Sequence, residues 1–237
     1  MVRSIKKLIR KAVFSVIKPP VPPVSYSQAG EDAVMSNLFK DYGKSNITYL
    51  DLGTNHPKTG NNTYKFYLKG FTGVCVEADA TLIERIKKAR PKDNVIHAGV
   101  SVGGATQADF YIFDKPAYNT FDKTEAENRI AQGVLKLIRV DQVPLITINE
   151  LIRDNFTTYP DFISIDIEGL DLDVLKTLDF EKYPVPVICV ETCTYSTNHI
   201  RPKDNSILEF MRTKNYEVYA DTYINTIFVN HNWFYNK

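Results

Sequence analysis

Apolar and polar positions show two different periodicities along the chain, and the changes from one to the other predict the order of strands and helices. Short runs rich in valine and isoleucine are typical of strands, and apolar residues three or four positions apart are typical of helices. The predicted strands lie at 47–52, 73–77, 94–98, 108–113, 137–141, 162–167, 187–191, 216–220 and 225–230. The predicted helices lie at 30–42, 60–69, 80–90, 171–178 and 205–213. Strands that alternate with helices indicate an α/β fold with a mainly parallel sheet.

Two connections modify this picture. The link between the last two predicted strands is short, which permits an antiparallel pair at 216–220 and 225–230. Residues 114–135 read as an irregular loop with some helix, longer than most connections in a compact domain. We therefore regard this insertion as a candidate lid.

The first 18 residues have a separate character. Apolar residues recur there at helical spacing, and the lysines and arginines lie mostly on the opposite side. The apolar residues are Ile5, Leu8, Ile9, Ala12, Val13, Val16 and Ile17. The basic interruptions exclude a membrane span, and no secretory signal is expected. The proline-rich segment 19–24 predicts a stiff spacer, so the expected division is helix 1–18, spacer 19–24 and one domain over 25–237. The helix could lie on anionic lipid or pack against protein, and the pattern fits both.

Charge and composition exclude some functions. The 237 residues carry a net charge of +1, but six basic and no acidic side chains fall in residues 1–18, which leaves −5 for the rest. No overall positive field attracts nucleic acid. Three cysteines form neither a disulfide framework nor a zinc-site spacing, so we expect a reducing, cytoplasmic setting and no metal site.

Two predicted strands end in residues suited to holding a nucleoside. Gly53 and Asn55 follow the strand at 47–52, at the sheet edge where open α/β folds bind ligands. Glu77 ends the next strand, and a carboxylate there can accept both hydroxyls of a ribose. The full glycine pattern of dinucleotide-binding folds is absent, which weakens a dinucleotide reading.

Carboxylates also follow two later strands. Strand alternation places Asp166 and Glu168 on one face unless the strand ends between them. Asp171 lies beyond them, and Glu191 ends the next strand. Such a group could supply a general base, bind Mg²⁺ or hydroxyl groups, or cap the following helix. Among the histidines, His56 and His199 are the two that could reach a shared cleft, although each is more often a surface residue.

Taken together, several motifs resemble those of the FkbM-type methyltransferases. They are Tyr26-Ser27-Gln28-x-Gly30-Glu31-Asp32, Asp51-Leu52-Gly53-Thr54-Asn55, Asn61-Asn62-Thr63-Tyr64, and 162–169 with Asp171 and Val174-Leu175. The similarity spans most of residues 25–191. It implies a Rossmann-like class I methyltransferase fold, with a mostly parallel seven-stranded sheet and one antiparallel strand. It also implies S-adenosyl-L-methionine as cofactor and methyl transfer to an oxygen, often a sugar hydroxyl.

The resemblance also assigns roles to individual residues. The implied cofactor-binding residues are Asp51, Gly53, Thr54, Asn55, Glu77, Ala78, Gly99, Val100, Ser101 and Asp166. The implied catalytic residues are Glu168, ranked first as general base, and Asp166, Glu191 and His199. Tyr118, Asn119 and Phe121 in the insertion could contact a sugar. This chain departs from the pattern at Asn55-His56-Pro57, where many class I enzymes have another glycine, so the resemblance does not define the path around the methionine moiety.

Other classes of function stay open at this point. A nicotinamide-dependent sugar-nucleotide dehydrogenase would also use the ribose acid, and Tyr111 and Lys115 have the spacing of the short-chain dehydrogenases. These two residues fall on a predicted strand instead of a helix, so we interpret the spacing as coincidence. A non-catalytic scaffold is the third reading. The expected partner is a small-molecule or glycan acceptor. Peripheral contact to the inner membrane face through residues 1–18 is one of the two alternatives for that helix.

Overall fold

The structure is a computed structural model that describes residues 24–133, 135–167, 169–193, 203 and 205–236. The predicted basic helix at 1–18 and all but the last residue of the spacer at 19–24 therefore lie outside the described residues. Two candidate catalytic residues, Glu168 and His199, also lie outside them.

Seven of the strands form one sheet in the order β3-β2-β1-β7-β8-β10-β9. The strands are β1 (Thr48–Leu52), β2 (Thr72–Glu77), β3 (Asn94–His97), β4 (Gly99–Ser101), β5 (Gln107–Phe113), β6 (Leu137–Thr147), β7 (Phe162–Ile165), β8 (Val187–Glu191), β9 (Tyr216–Asp221) and β10 (Asn225–Asn230). Strands β3, β2, β1, β7 and β8 pair in parallel, and β10 is antiparallel to both of its neighbours. The predicted fold class, including the one antiparallel strand, is confirmed.

Helices cover both faces of this sheet, and one further helix, α4 (Lys123–Ala131), belongs to the insertion. They are α1 (Glu31–Asp41), α2 (Tyr64–Leu68), α3 (Ala80–Ala89), α4 (Lys123–Ala131), α5 (Ile148–Asn155), α6 (Asp171–Thr177), α7 (Asn205–Thr213) and α8 (His231–Tyr235). Successive residues of β8 show the two layers, because Val187 and Cys189 pack in one apolar cluster while Ile188 and Val190 pack in another. Burial on both sides explains why the central strands are almost continuously apolar.

The insertion belongs to a second, smaller sheet. Strand β6 pairs in parallel with β4 and antiparallel with β5, giving the order β4-β6-β5. The chain between β5 and β6 contains a short 3₁₀ turn at Pro116–Tyr118 and helix α4. This small sheet extends from the end of β3, so the segment predicted as a lid stands beside the carboxyl edge of the main sheet.

Several predicted boundaries were wrong, for identifiable reasons. The helix predicted at 60–69 begins only at Tyr64, because the Asn61 side chain accepts hydrogen bonds from the amides of Thr63 and Tyr64 and forms a turn. The strand predicted at 162–167 ends at Ile165. Strand alternation therefore does not apply to Asp166 and Glu168.

Three elements were not predicted. Helix α5 begins with a capping box in which Thr147 and Glu150 satisfy each other's backbone amides, a pattern that is legible in the sequence. Strand β4 and helix α8 are short, and their apolar spacing is too brief to detect. Among the described helices, none has the length and apolar character needed to cross a bilayer.

Candidate active site

A cavity of about 660 Å³ opens at the carboxyl edge of the main sheet. It extends from the ends of β1, β2 and β3 to those of β7 and β8, with the insertion as its outer wall. The cavity is lined by eight of the sequence-predicted site residues, namely Gly53, Asn55, Glu77, Ala78, Gly99, Val100, Asp166 and Glu191. The fold thus brings both predicted groups, the nucleoside-binding residues and two of the carboxylates, to one cavity.

Glu77 is held rigidly at the end of β2. One carboxylate oxygen accepts a hydrogen bond from the Asn55 amide at 2.7 Å, and the other accepts one from the Asp79 amide at 2.8 Å. Burial raises the pKa of this carboxyl, and the two amide hydrogen bonds counteract that shift in part. Each oxygen has lone pairs beyond its amide contact, so the side chain can also accept hydroxyl donors from the cavity.

The turn after β1 packs directly against the chain that follows β7. Gly53 has a φ of +78°, and a Cβ atom built there would lie 1.9 Å from the carbonyl oxygen of Asp166. The Asp166 amide in turn donates to the Leu52 carbonyl at 3.1 Å. Glycine is therefore required at position 53 both for backbone conformation and for this close approach.

The insertion closes the end of the cavity beside β2 and β3. The Asn119 side chain donates to the Asp79 carboxylate at 3.2 Å and accepts from the Phe113 amide at 2.9 Å. The Phe121 ring lies 4.5 Å from the Phe110 ring, centroid to centroid, and fills the space that a Cβ on Gly99 would need. This end of the cavity therefore has apolar, aromatic walls suited to a flat base.

This placement changes the interpretation of the insertion residues. Asn119 and Phe121 were predicted as contacts for a sugar acceptor, but Asn119 is hydrogen-bonded to Asp79 after β2, and the Phe121 ring packs against Phe110 on β5 and Gly99 on β4. The oxygen and the nitrogen of the Asn119 side-chain amide therefore both have a hydrogen-bond partner within the protein. Tyr118 lines the cavity from the same wall, so it is the one of the three that stays a candidate for acceptor contact.

The opposite end of the cavity is acidic. Asp166 and Glu191 are half-buried and line it from the ends of the adjacent strands β7 and β8. The loop after β7 is shaped by Asp171, whose buried carboxylate accepts from the amides of Ile167 at 3.3 Å and Gly169 at 3.1 Å. Burial raises the pKa of Asp171. Its contacts assign Asp171 to holding the loop.

A second, smaller cavity of about 160 Å³ adjoins the first and shares with it Gln28, Gly53, Asn55 and Asp166. Its other lining residues come mainly from the segment between β1 and α2. Gln28 is held there by a network around Asp32, whose carboxylate accepts from the Tyr26 amide at 2.8 Å and the Ser27 hydroxyl at 3.1 Å. The polar turn at 25–32 thus serves to place a side chain at the boundary of the two cavities.

Three of the predicted cofactor-binding residues do not line the main cavity. Ser101 is buried, and its hydroxyl donates to the Ala105 carbonyl at 3.2 Å. Thr54 is also buried and lines only the smaller cavity, as does Asp51.

Asp51 belongs to a buried ionic network behind β1. Its carboxylate accepts from the Thr63 hydroxyl at 2.8 Å and lies 3.6 Å from the guanidinium of Arg90, which is fully buried. The same guanidinium donates to Asp93 at 2.7 Å and stacks over the Tyr49 ring. Burial raises the pKa of Asp51, and the Arg90 charge opposes that shift. Asp51 therefore supports the cofactor turn from behind.

Sequence reasoning also missed residues that the structure places at the site. Asn62 lies in the smaller cavity, and Phe110 and Arg129 line the larger one. Asn62 was noted only as part of a motif, and its loop position gave no sign of burial. The alternating pattern of β5 does indicate that one face is buried, but it does not indicate what that face lines.

The residues present fit the predicted cofactor, S-adenosylmethionine. Glu77 supplies acceptors at the position for a ribose diol, the walls near Gly99 suit an adenine, and the cavity continues to the acidic edge where a methyl group would be delivered. The described residues contain no group of three or more His, Cys, Asp or Glu side chains that could hold a metal ion. Tyr111 lies on β5, where its backbone pairs with Thr120, which does not match the helix placement of the short-chain dehydrogenases.

Comparisons with known proteins bear on these assignments. A family model described as the methyltransferase FkbM domain matches residues 51–218, well over half of the chain. Among curated proteins, no match is found. A TehB-like SAM-dependent methyltransferase from Corynebacterium glutamicum has 10% identity and a TM-score of 0.41, with 97% of this chain and 98% of that chain covered. The methyltransferase domain of bacterial CtHen1 has 13% identity and a TM-score of 0.42, with 85% and 100% covered. At these scores the likeness is distant, and the family match is what assigns the chain.

Proposed function

The chain belongs to the FkbM methyltransferase family, and from this premise we propose that it transfers a methyl group to a hydroxyl oxygen of a sugar in a glycan or glycoconjugate. Methyl transfer and the cofactor, S-adenosyl-L-methionine, follow from the family. The oxygen acceptor and its sugar nature are the proposal. The observation that carries it is the position of Asp166 and Glu191 in the same cavity as Glu77, at its opposite end.

The nucleoside end of the cavity would hold and orient the cofactor. Glu77 would accept the ribose hydroxyls, while Phe110 and Phe121 would flank the base. The Asp79–Asn119 hydrogen bond ties this wall to the end of β2. Bound S-adenosylmethionine supplies a methyl group already activated by its positive sulfonium. The protein therefore needs mainly to align an acceptor oxygen with that methyl group and to remove one proton.

The acidic end of the cavity suits a hydroxyl-bearing acceptor. Ionised carboxylates only accept hydrogen bonds, and a sugar presents several hydroxyl donors in fixed directions. Asp166 follows β7 and Glu191 ends the adjacent β8, so together they can accept hydrogen bonds from one sugar ring and take a proton from the reacting hydroxyl. The sequence makes Glu168 the first candidate for the general base. Glu191, which lines the cavity, is the alternative, and Asp166 would act as a positioning residue.

Three substitutions separate these roles. Glu168→Gln and Glu191→Gln are expected to leave cofactor affinity nearly unchanged, and the one that removes the general base should lower turnover by at least about 10²-fold. Asp166→Asn is expected to raise KM for the acceptor more than it lowers kcat. Unchanged turnover in both glutamate variants would remove both from the role of base.

The acceptor class has its own test. The full chain is incubated with methyl-labelled S-adenosylmethionine and fractionated cell glycans, and the labelled product is treated with mild alkali. A sugar methyl ether keeps its label, whereas a methyl ester loses it. Alkali-stable label in an oligosaccharide fraction is the expected result. Label that is confined to esters, amines or protein would overturn the proposal.

A further inference from the structure

The antiparallel pairing of β8 and β10 places a buried asparagine beside Glu191. Asn225 lies directly opposite Glu191 in the register, so the two side chains share one face of the sheet. The backbone amide of Asn225 donates to the Thr222 hydroxyl at 3.2 Å, and its backbone carbonyl accepts from the Thr222 amide at 2.9 Å. Thr222 follows β9, so both backbone groups of Asn225 face away from β8. Asn225 and Glu191 therefore form a non-hydrogen-bonded pair, in which the side chains approach most closely.

The Asn225 side chain carries an oxygen that lacks a partner. Asn225 is only 2% exposed, and its Oδ1 has no hydrogen-bond partner among the described residues. The atom is also shielded from solvent, so a molecule bound in the cavity does not reach it. Buried carbonyl oxygens without a partner are uncommon, because their lost hydration is not replaced. This oxygen is therefore available to a neighbouring side chain that becomes a donor.

An ionised glutamate fixes the orientation of the Asn225 amide. Its Nδ2 donates to Glu31 Oε1 at 2.9 Å, and the Thr222 hydroxyl donates to the same oxygen at 2.7 Å. Burial raises the pKa of Glu31, but hydrogen bonds from Asn225, Thr222 and the Ala29 amide outweigh burial and lower this pKa overall. An ionised carboxylate only accepts hydrogen bonds, so the amide nitrogen has to face Glu31. Because this contact lies on the side of Thr222 and β9, Oδ1 at the other end of the amide is directed towards β8 and Glu191.

Carboxylates surround Glu191 on this face of the sheet. Cys189 lies two residues before Glu191 on β8 and therefore shares its face. Burial raises the pKa of the Cys189 thiol, and three nearby carboxylates raise it further. They belong to Glu31, to Asp166 and to Asp51, which is paired with Arg90. Lys203 donates to the hydroxyls of Thr192 and Thr226, and alternation places both on the opposite face. Like charges disfavour ionisation, so these surroundings favour the uptake of a proton by Glu191.

We propose that Asn225 is a positioning residue for the proton acceptor, and that its Oδ1 accepts a hydrogen bond from the protonated carboxyl of Glu191. As the acceptor oxygen forms its bond to the methyl carbon, the carbon–sulfur bond breaks and leaves its electron pair on sulfur. The hydroxyl proton passes to a Glu191 oxygen, and the neutral carboxyl then donates to Oδ1. The contact forms only when Glu191 carries the proton, so it favours proton transfer away from the acceptor. The inference rests on the proposed function and gives the role of base to Glu191 and not to Glu168.

Glutamine at position 191 reproduces the protonated carboxyl, because its side-chain amide can donate to Oδ1 at neutral pH. Glu191→Gln should raise the thermal midpoint of the full-length, ligand-free protein by about 2–4 °C, the change expected from one hydrogen bond in a chain of this size. Asn225→Leu removes the oxygen, so in that background the same glutamine substitution should raise the midpoint by less than about 1 °C. Asn225→Ala serves the same purpose if Asn225→Leu does not fold. Thr222→Val is the matched control, since it removes another hydrogen bond to Glu31 but leaves Oδ1 in place, and it should keep the full gain.

The pH profile of methyl transfer gives the second readout. Removal of Oδ1 destabilises the protonated carboxyl, so the rising limb of kcat should move about one pH unit lower in Asn225→Leu, with the plateau reduced about 3- to 10-fold. The KM for the acceptor and the affinity for S-adenosylhomocysteine should stay within about twofold, because Oδ1 contacts neither ligand. Thr222→Val should keep the position of the wild-type limb. A purely structural role for Asn225 would lower kcat without moving the limb.

The outcomes distinguish this inference from the proposed function. Wild-type protein that methylates no sugar would contradict the proposed function and with it the role in proton transfer, whereas the thermal comparison tests the contact between Asn225 and Glu191 without any ligand. Equal gains from Glu191→Gln in both backgrounds would overturn the inference and leave the proposed function intact. A larger gain with Asn225 but an unmoved rising limb would show a contact without a role in proton transfer and would also overturn it. Full turnover in Glu191→Gln would exclude Glu191 as the base, with the same consequence.

Discussion

The contact between the turn after β1 and the chain after β7 makes a strong prediction for Gly53→Ala. A Cβ at position 53 would lie 1.9 Å from the Asp166 carbonyl oxygen, whereas real Cβ contacts essentially never fall under 3.0 Å. One of the two segments must therefore move by about 1 Å. The alanine also has to adopt a φ of +78°, which costs about 1–2 kcal/mol for a residue with a side chain.

Gly43→Ala is the matched control for this substitution. Gly43 has a φ of +65° and no atom within 4 Å of its virtual Cβ, so the control has the backbone strain without the clash. We expect Gly43→Ala to lower the free energy of unfolding by about 1 kcal/mol and to leave ligand affinity unchanged. Gly53→Ala adds an overpacking cost of about 1–3 kcal/mol to the strain.

Gly53→Ala should reduce the methyl-transfer rate more strongly than it reduces the free energy of unfolding. A displacement of about 1 Å at Asp166 is enough to reduce turnover by about 10²-fold, because the acceptor no longer aligns with the methyl group. Denaturant unfolding, calorimetry with S-adenosylhomocysteine and methyl-transfer rates measure the three effects on both variants. Equal stability losses in the two variants, with full ligand affinity in Gly53→Ala, would refute the close packing described here.

Three further predictions concern charge. Ribose hydroxyls donate to ionised Glu77, so the affinity for S-adenosylhomocysteine should rise as pH increases through the raised pKa of this carboxyl. Calorimetry in buffers of different ionisation enthalpy should detect the release of a proton on binding. This release should be absent in Glu77→Gln. Arg90→Met should cost about 3–5 kcal/mol at neutral pH, because it leaves Asp51 and Asp93 buried without a counter-charge. The folded form of this variant holds protons more tightly than the unfolded form, so urea unfolding should show part of the loss regained at mildly acidic pH. Deletion of residues 1–18 separates the two interpretations of this segment, because lost co-sedimentation with anionic vesicles supports a lipid-bound helix and unchanged co-sedimentation contradicts it.

The seven strands of the main sheet could be predicted from the sequence, although β7 ends at Ile165 and not at residue 167. Runs such as 187–191 are apolar on both faces because helices cover both sides of the sheet, and such a pattern needs no tertiary knowledge to recognise. The approach of Glu77 to the cavity followed from chain order alone. Parallel strands place their carboxyl ends at one edge, so the acid at the end of β2 had to lie beside the turn after β1.

The roles of individual polar residues could not be predicted in the same way. Asp51 and Asp166 both follow apolar runs, yet Asp51 is buried and paired with Arg90, whereas Asp166 is half-buried and lines both cavities. The difference depends on a guanidinium that comes from the end of α3. Likewise, Asn119 resembled a loop residue free to contact an acceptor, but its hydrogen bonds fasten the insertion to the end of β2. Hydrogen bonds and ion pairs between segments that are distant in sequence determine the roles of these residues.

The most direct test of the account is a crystal structure of the full-length protein with S-adenosylhomocysteine. We expect both ribose hydroxyls within hydrogen-bonding distance of the Glu77 carboxylate, about 2.7 Å, and the sulfur facing the end of the cavity that Asp166 and Glu191 line. A ligand bound outside this cavity, or one whose ribose makes no contact with Glu77, would contradict the account.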